Sequence, residues 1–236
     1  MASELMTYWE RCAEKRWGKH LSEFEHKLVA YAVSMTRGPG AALEIGCEGG
    51  RWSRLLAESG WGITCTDVDE KVLEVCQARI PKAKCILVKP TDKELPVRSN
   101  TIRLMLCIEV WELAHKRWLF AEAHRALEDG GLLVITCPNR LSWRGTYSFL
   151  RGTAGKWYPG TYSGWKRKAQ ESGFEILMEE GYAWCPFQRA SDSRWVGILT
   201  RLEIVLRLRY LTVVSPWVGV VVQKTQPAPY IPPAGT

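Results

Sequence analysis

The chain has 236 residues, 46% of them hydrophobic, which is enough for one domain with a sizeable core. Its net charge of +7 is spread over short basic clusters at 116–118, 166–168 and 207–210, so we expect a solvated basic surface and no nucleic-acid partner. The first twenty residues lack the apolar segment of a secretory signal, and the longest apolar stretch, residues 210–222, is too short to span a bilayer. The sequence therefore predicts a cytoplasmic protein.

The predicted elements begin with residues 4–35, whose apolar residues recur at helical spacing and indicate two helices broken near Gly18. Five strand–helix alternations follow, from ALEIG at 42–46 to LLVITCP at 132–138. Because the strands are continuous apolar runs, this alternation predicts a parallel sheet covered by helices on both faces.

The composition changes after residue 138. Residues 141–164 are rich in Trp, Tyr, Gly and Arg and are expected to be irregular, before a further helix and two further strands. We therefore divide the chain into an N-terminal helical cap, a ligand-binding core, a substrate-side flap with the final strands, and a disordered proline-rich tail, at 1–36, 37–140, 141–226 and 227–236.

The eight cysteines include no C-x-x-C pair, and several lie within apolar runs. Thiols in such runs behave as small apolar side chains and stay reduced in a cytosolic protein. Neither their spacing nor that of the histidines resembles a zinc site, so no metal is expected.

The loop after the first predicted strand, GCEGG at 46–50, lies where a parallel sheet binds its ligands. Glycines permit tight turns and close approach of a ligand, and the following helix offers free N–H groups. The dinucleotide fingerprint G-x-G-x-x-G requires glycines at 46, 48 and 51, where this chain has Glu48 and Arg51 at the last two positions. The sequence therefore disfavours a nicotinamide oxidoreductase.

An acidic pair follows the second predicted strand. Asp67 lies 21 residues after Gly46, where a carboxylate would bind two ribose hydroxyls. Asp69 is predicted to cap the next helix.

The chain resembles the class I S-adenosylmethionine (SAM)-dependent methyltransferases, in which an acidic residue precedes a loop of pattern D/E-x-G-x-G-x-G. Glu44, Gly46 and Gly50 match that pattern, whereas Glu48 replaces the middle glycine, with Gly49 beside it. The segments KPTDKELPVRSNTIRLMLCIEVWEL and HRALEDGGLLVITCPN are similar to two further family motifs, and the chain is most similar to the small-molecule branch that includes ubiquinone and menaquinone methyltransferases. The resemblance implies a Rossmann-like α/β fold with a seven-stranded, mostly parallel sheet whose last strand is antiparallel.

The resemblance also implies a SAM site. Asp67 would bind the ribose, Val68 would pack on the adenine and Asp92 would face the adenine amino group. The carboxylate of Glu48 would lie near the ammonium group of the cofactor. The full set of implied cofactor residues is Glu44, Gly46, Cys47, Glu48, Gly50, Asp67, Val68 and Asp92.

Methyl transfer from a sulfonium is a direct displacement, so alignment of the reacting atoms can supply most of the acceleration. A base is needed only if the acceptor must lose a proton. Glu109, Glu112 and His115 follow the fourth predicted strand and are candidate bases, although an exposed helix start would give the same pattern. No catalytic residue is therefore assigned.

Aromatic residues predict a pocket for a small aromatic or lipophilic acceptor, built from 141–164 and from Tyr8, Trp9 and Trp17. An ordinary packed flap is equally compatible with this pattern. The altered loop, and Leu113 where the family has a histidine, leave open a catalytically weak SAM-fold module that binds or regulates a partner.

Residues 193–210 form a predicted helix with one apolar stripe, made of Trp195, Ile198, Leu199, Leu202, Val205 and Leu206. Packing of this stripe on its own domain is the default expectation. Pairing with a second subunit and peripheral contact with an anionic membrane are the alternatives.

Overall fold

The computed structural model describes residues 6–225; the predicted tail at 227–236 lies outside these residues. The described strands are β1 Ala41–Ile45, β2 Gly62–Asp67, β3 Lys84–Leu87, β4 Ile102–Cys107, β5 Leu127–Pro138, β6 Phe174–Tyr182 and β7 Trp217–Lys224. The helices are α1 Tyr8–Ala13, α2 Arg16–Met35, α3 Arg51–Glu58, α4 Glu70–Arg79, α5 Trp111–Ala114, α6 Arg117–Ala126, α7 Trp143–Leu150, α8 Ala154–Trp157, α9 Tyr162–Glu171 and α10 Val196–Val205.

The seven strands form one sheet in the order β3-β2-β1-β4-β5-β7-β6. The first five strands pair in parallel, and β7 runs antiparallel to both β5 and β6. The predicted Rossmann-like fold is therefore confirmed.

Each face of the sheet carries its own apolar core. On one face Phe120 of α6 and Trp165 of α9 pack against β4, β5 and β7. On the other face Leu28 of α2, Trp52 of α3 and Leu73 of α4 pack against the alternate residues of the same strands. The continuous apolar runs seen in the sequence follow from this burial on both faces.

The two N-terminal helices are separated at Glu14–Lys15, four residues before the predicted break at Gly18. Gly18 lies inside α2, where a Cβ would be 1.9 Å from the carbonyl oxygen of Cys12. This glycine therefore permits close approach of α1 to α2 and does not end a helix.

Two later segments also differ from expectation. Residues 141–164 contain α7, α8 and the start of α9, with Ser142 and Thr161 as side-chain N-caps, so this segment is helical and not irregular. The predicted helix at 193–210 stops at Val205, and Arg207 adopts a left-handed φ of 54° before a short 3-10 turn. Most of its apolar stripe is exposed: Trp195, Ile198, Leu202, Val205 and Leu206 are between 48% and 75% accessible. Leu199 packs against the core around Trp17, so the default expectation that the stripe packs on its own domain holds for Leu199 and is wrong for the other five residues.

Candidate functional site

The glycine loop joins the carboxyl end of β1 to the start of α3. Gly46, Glu48 and Gly50 have φ values of 67°, 49° and 73°, all in the left-handed region. At Gly46 a Cβ would also lie 2.6 Å from Cγ2 of Val110. The loop thus keeps the left-handed path that glycine favours, although its middle position is Glu48.

Glu44 is buried below this loop. Its Oε2 accepts hydrogen bonds from the main-chain N–H of Ser53 at 2.9 Å and from the Ser53 hydroxyl at 2.5 Å. Ser53 belongs to the first turn of α3, whose N–H groups have no partner within the helix. Burial raises the pKa of Glu44 to about 8. Glu44 therefore fixes the start of α3 and lines the cavity above it.

Asp67 ends β2 and connects it to the loop. Its Oδ2 accepts the N–H of Glu48 at 2.9 Å, and its Oδ1 accepts the N–H groups of Val68 at 2.7 Å and Asp69 at 3.1 Å. The neighbouring Val68 side chain is 57% exposed, which is suitable for packing against a flat ring. Asp69 caps α4 through the N–H of Lys71 at 2.9 Å, so that sequence prediction is confirmed.

The carboxylate of Glu48 holds α1 over the loop. It accepts the hydroxyl hydrogen of Thr7 at 2.7 Å and the N–H of Trp9 at 3.1 Å. Arg79 adds a second link, since its Nη1 contacts Oε1 of Glu10 at 2.8 Å and the carbonyl of Gly49 at 3.0 Å. Burial raises the pKa of Glu48, and the hydrogen bond from Thr7 opposes this shift.

Arg189 is the functional candidate that the sequence did not reveal. Its guanidinium lies 3.1 Å from Oε1 of Glu25 and forms an ion pair with Oε2 of Glu109. The guanidinium also stacks on the ring of Trp9, at 4.5 Å from the centroid. Glu25 is fully buried in α2 and is paired at 2.5 Å with Arg51.

Glu109 has a left-handed φ of 62° and accepts a 2.8 Å hydrogen bond from the hydroxyl of Tyr182. Its second partner, Arg189, comes from the segment between β6 and α10. Four separate parts of the chain therefore supply one network of alternating charges, and no local pattern in the sequence indicates it.

One cavity of about 60 Å³ lies between the two networks. Glu48 of the first network and Arg51, Glu109 and Arg189 of the second line it. The other lining residues are Trp9, Glu44, Gly46, Cys47, Trp52, Ile108 and Val110. Sites for small molecules usually have roughly 300 Å³ or more. Asp67 and Val68 are not among the lining residues of this cavity and lie beside it at the end of β2. Their chemistry suits SAM, because Asp67 offers carboxylate oxygens for ribose hydroxyls and Val68 an exposed apolar face. The cavity at the loop is too small to hold SAM unless Arg189, or α1 with Trp9, is displaced.

The remaining sequence candidates lie elsewhere. Asp92 accepts the N–H of Lys89 at 2.8 Å and lines an open groove of about 1140 Å³ that shares no lining residue with the cavity at the glycine loop. Glu112 is exposed on α5. His115 lies with Nε2 2.7 Å from the carbonyl of Pro138, and burial lowers its pKa. Glu109 is the one of the three candidate bases that lines the cavity at the glycine loop.

Of the three aromatic residues of the N-terminal helices that were expected to build the acceptor pocket, one lines the cavity and two do not. Trp9 lines the cavity, whereas Tyr8 is exposed. Trp17 is 1% exposed and packs on Phe187, with ring centroids 5.4 Å apart. Trp17 is therefore a core residue and not part of an acceptor pocket.

Three buried thiols lie beneath the loop. The sulfur atoms of Cys47, Cys65 and Cys76 are within 4.8 Å of one another. A hydrogen bond with Cys65, together with burial, raises the pKa of Cys47. A Cβ at Gly50 would be 2.6 Å from Sγ of Cys76, so these thiols pack closely under the glycines. Their spacing in the sequence did not predict this grouping, because they belong to a loop, a strand and a helix.

The sheet order, the antiparallel β7 and the glycine loop at the end of β1 define a Rossmann-like fold of the methyltransferase type. Residues 43–135 match the family model described as a methyltransferase domain. This segment is therefore similar to methyltransferase domains, and the similarity implies SAM as the cofactor.

A curated relative, an uncharacterized methyltransferase of Mycobacterium tuberculosis, is 28% identical over 104 residues. The matched region covers 43% of this chain and 42% of the relative, so this chain spans less than half the length of the curated relatives that it matches.

Solved structures share the fold over more of the chain. An S-adenosylmethionine dependent methyltransferase from Mesorhizobium loti has a TM-score of 0.60 and 18% identity, covering 84% of this chain and 96% of the other. The [4+2]-cyclase SpnF has a TM-score of 0.58 and 16% identity, covering 84% of this chain and 81% of the other. At such identities the similarity shows the fold alone.

Proposed function

We propose that the protein transfers a methyl group from SAM to a small aromatic or lipophilic acceptor. The observation that carries this proposal is the position of the glycine loop, Asp67 and Glu109 around one end of the sheet, within a segment that matches a methyltransferase domain. Bound SAM would supply a methyl group activated by the positive charge of its sulfur.

The residues of the chain have binding and positioning roles in this proposal. Asp67 holds the ribose, Val68 packs on the adenine, and the loop at 46–50 lies against the amino-acid end. Trp9 and Val110 supply apolar contact area at the cavity. They exclude water from the reacting atoms, which strengthens the electrostatic interactions there.

Glu109 is the residue placed to take a proton from an acceptor hydroxyl or amine. Its Oε1 bonds to the Tyr182 hydroxyl and its Oε2 pairs with Arg189, so its position is fixed. Displacement of Arg189 would free one carboxylate oxygen and enlarge the cavity at the same time. Glu109 would then act as a general base for acceptors that need one.

Calorimetric titration with SAM and its demethylated product tests the cofactor. Transfer of radiolabelled methyl groups to an organic-solvent extract, compared with an aqueous extract, then tests the acceptor class. We expect SAM binding and label in the organic phase. Failure of both ligands to bind at millimolar concentration would overturn the proposal, and label confined to the aqueous phase would overturn its lipophilic acceptor.

A second candidate function is a SAM-fold module with little or no methyl transfer. The small cavity, closed by Arg189 and Glu48, favours this alternative. The named cyclase among the structural neighbours also illustrates that one fold supports several functions. SAM binding without label transfer to either extract would favour this alternative.

A further inference from the structure

The exposed large apolar side chains of residues 6–225 are concentrated in two ranges of the chain. Of the 21 large apolar side chains that are exposed among residues 6–225, 16 belong to residues 141–157 and 195–214. The most exposed are Leu150 at 78%, Val205 at 75%, Ile204 at 71% and Phe149 at 70%. Scattered exposed apolar residues are ordinary, but such a concentration marks an interaction site. We call these two ranges together the apolar patch.

The two halves of the apolar patch are held on the same short segment. On the α7 side, the indole N–H of Trp143 donates to the carbonyl of Trp184 at 3.0 Å, and Arg144 donates to the carbonyl of Phe187 at 3.0 Å. On the α10 side, Glu203 accepts the N–H of Cys185 at 3.0 Å. Residues 184–187 are therefore hydrogen-bonded to both α7 and α10.

The apolar patch is also basic. Residues 141–157 contain three Arg or Lys and no Asp or Glu, and residues 195–214 contain three Arg and one acid, Glu203. Glu203 is turned toward Cys185, since both the N–H and the thiol of that residue contact its Oε1. The one carboxylate of these ranges thus forms hydrogen bonds within the protein.

Three cations of the apolar patch, and Arg194 directly before it, stack on aromatic rings of the patch. The pairs and their distances to the ring centroid are Arg151 on Tyr147 at 4.6 Å, Lys156 on Trp157 at 5.2 Å, Arg194 on Trp195 at 5.9 Å and Arg209 on Tyr210 at 4.7 Å. Within residues 6–225 none of these four cations has a carboxylate at salt-bridge distance. Aliphatic and aromatic groups with cations beside them match the boundary between acyl chains and anionic headgroups.

We propose that the apolar patch docks on the surface of an anionic lipid bilayer. A second copy of this chain would bury the same side chains, but a two-fold contact would place the basic groups against each other. Anionic headgroups supply the missing opposite charge. No helix among residues 6–225 has the length and apolarity to cross a bilayer, so the contact is peripheral. The inference does not depend on methyl transfer.

Co-sedimentation of the full chain with vesicles tests the proposal. The vesicles are pure phosphatidylcholine or phosphatidylcholine with 30% phosphatidylglycerol. We expect binding to the anionic vesicles at low salt, and at least tenfold weaker binding both to neutral vesicles and in 0.5 M NaCl. Ile204→Ser with Val205→Ser should weaken anionic binding at least tenfold. Both side chains are exposed, so the folded state and its Tm should change little.

Met35→Ser is the matched control, because Met35 is 47% exposed on α2, outside the apolar patch. It should leave vesicle binding unchanged. Absence of binding to anionic vesicles at low salt would overturn the proposal. So would equal loss of binding in Met35→Ser, or a dimer in analytical ultracentrifugation that the Ile204–Val205 double variant dissociates while vesicle binding persists.

Discussion

The main-chain N–H of Glu48 donates a hydrogen bond of 2.9 Å to Oδ2 of Asp67, which joins the middle of the glycine loop to the end of β2. One carboxylate thus holds the loop and is also the group expected to bind the ribose. Loss of this side chain should therefore affect both the ligand and the loop.

Asp67→Ala is expected to weaken SAM binding about 100-fold. Two hydrogen bonds to a charged acceptor contribute roughly 3 kcal/mol, which corresponds to that factor. Titration calorimetry measures the change. Asp69→Ala is the matched control, since Asp69 caps α4; it should cost about 1 kcal/mol of stability and change affinity less than twofold. Equal affinities of the wild type and Asp67→Ala would contradict the ribose assignment.

Arg189→Met is expected to lower the free energy of unfolding by about 3 kcal/mol, because partly buried Glu109 loses its cation and fully buried Glu25 keeps only Arg51. Urea unfolding at pH 7 measures the loss. Arg54→Met removes an exposed arginine that pairs with Glu58 at 3.9 Å, and this should cost less than about 1 kcal/mol. A similar loss in the two variants would show that the Arg189 network contributes little.

Glu48→Gly is expected to fold and to loosen α1. Glycine relieves the left-handed strain at this position, worth roughly 1 kcal/mol, and loses two hydrogen bonds to a carboxylate, worth roughly 3 kcal/mol together. The expected net loss of stability is therefore about 2 kcal/mol. Hydrogen exchange at the amide of Trp9 should accelerate at least tenfold, because that N–H loses its acceptor. Glu48→Gln keeps an acceptor oxygen, so the amide of Trp9 should exchange more slowly in this variant than in Glu48→Gly. Identical exchange rates in the two variants would contradict the role of Glu48 in holding α1.

Glu44 is expected to make stability fall as pH rises from about 4.5 to about 8. Burial raises its folded pKa from 4.5 to about 8, so within this window the folded state holds a proton that the unfolded state has lost. The contribution of Glu44 is complete below the unfolded pKa and is lost as pH approaches the folded value. Glu44 therefore lowers the free energy of unfolding by at most about 1.4 kcal/mol per pH unit.

Glu44→Gln should remove that slope. Urea midpoints of both proteins between pH 5 and 8 measure it, and the difference between the two profiles isolates Glu44 from other titrating groups. Parallel profiles would show that the Glu44 carboxylate is already ionised in the folded protein across this range.

The sequence predicts correctly those residues whose position follows from the neighbouring strand or helix. Asp67 is found at the end of β2 and Asp69 at a helix cap because each position follows from an apolar run and the turn after it. The continuous apolar runs at 104–107 and 132–135 likewise predicted the two-sided sheet.

The network around Arg189 could not be predicted in this way. Its members Glu25, Glu109 and Arg189 come from a helix, a loop after a strand and an irregular segment, so no spacing relates them. The exposed stripe on α10 illustrates a second limit. Its periodicity predicts an apolar face, but the same pattern arises whether that face meets its own domain or another surface.

The place of β7 in the sheet has a consequence for synthesis of the chain. Residues 217–224 insert between β5 and β6, and β6 has no other strand partner in the described structure. Until the ribosome has released these residues, the N–H and C=O groups along one edge of β5 have no partner strand. During the same time β6 cannot join the sheet. A nascent chain halted before residue 217 therefore exposes a strand edge of the kind that pairs with other chains. This sheet is therefore complete only when β7, the last of its seven strands in chain order, has been synthesised.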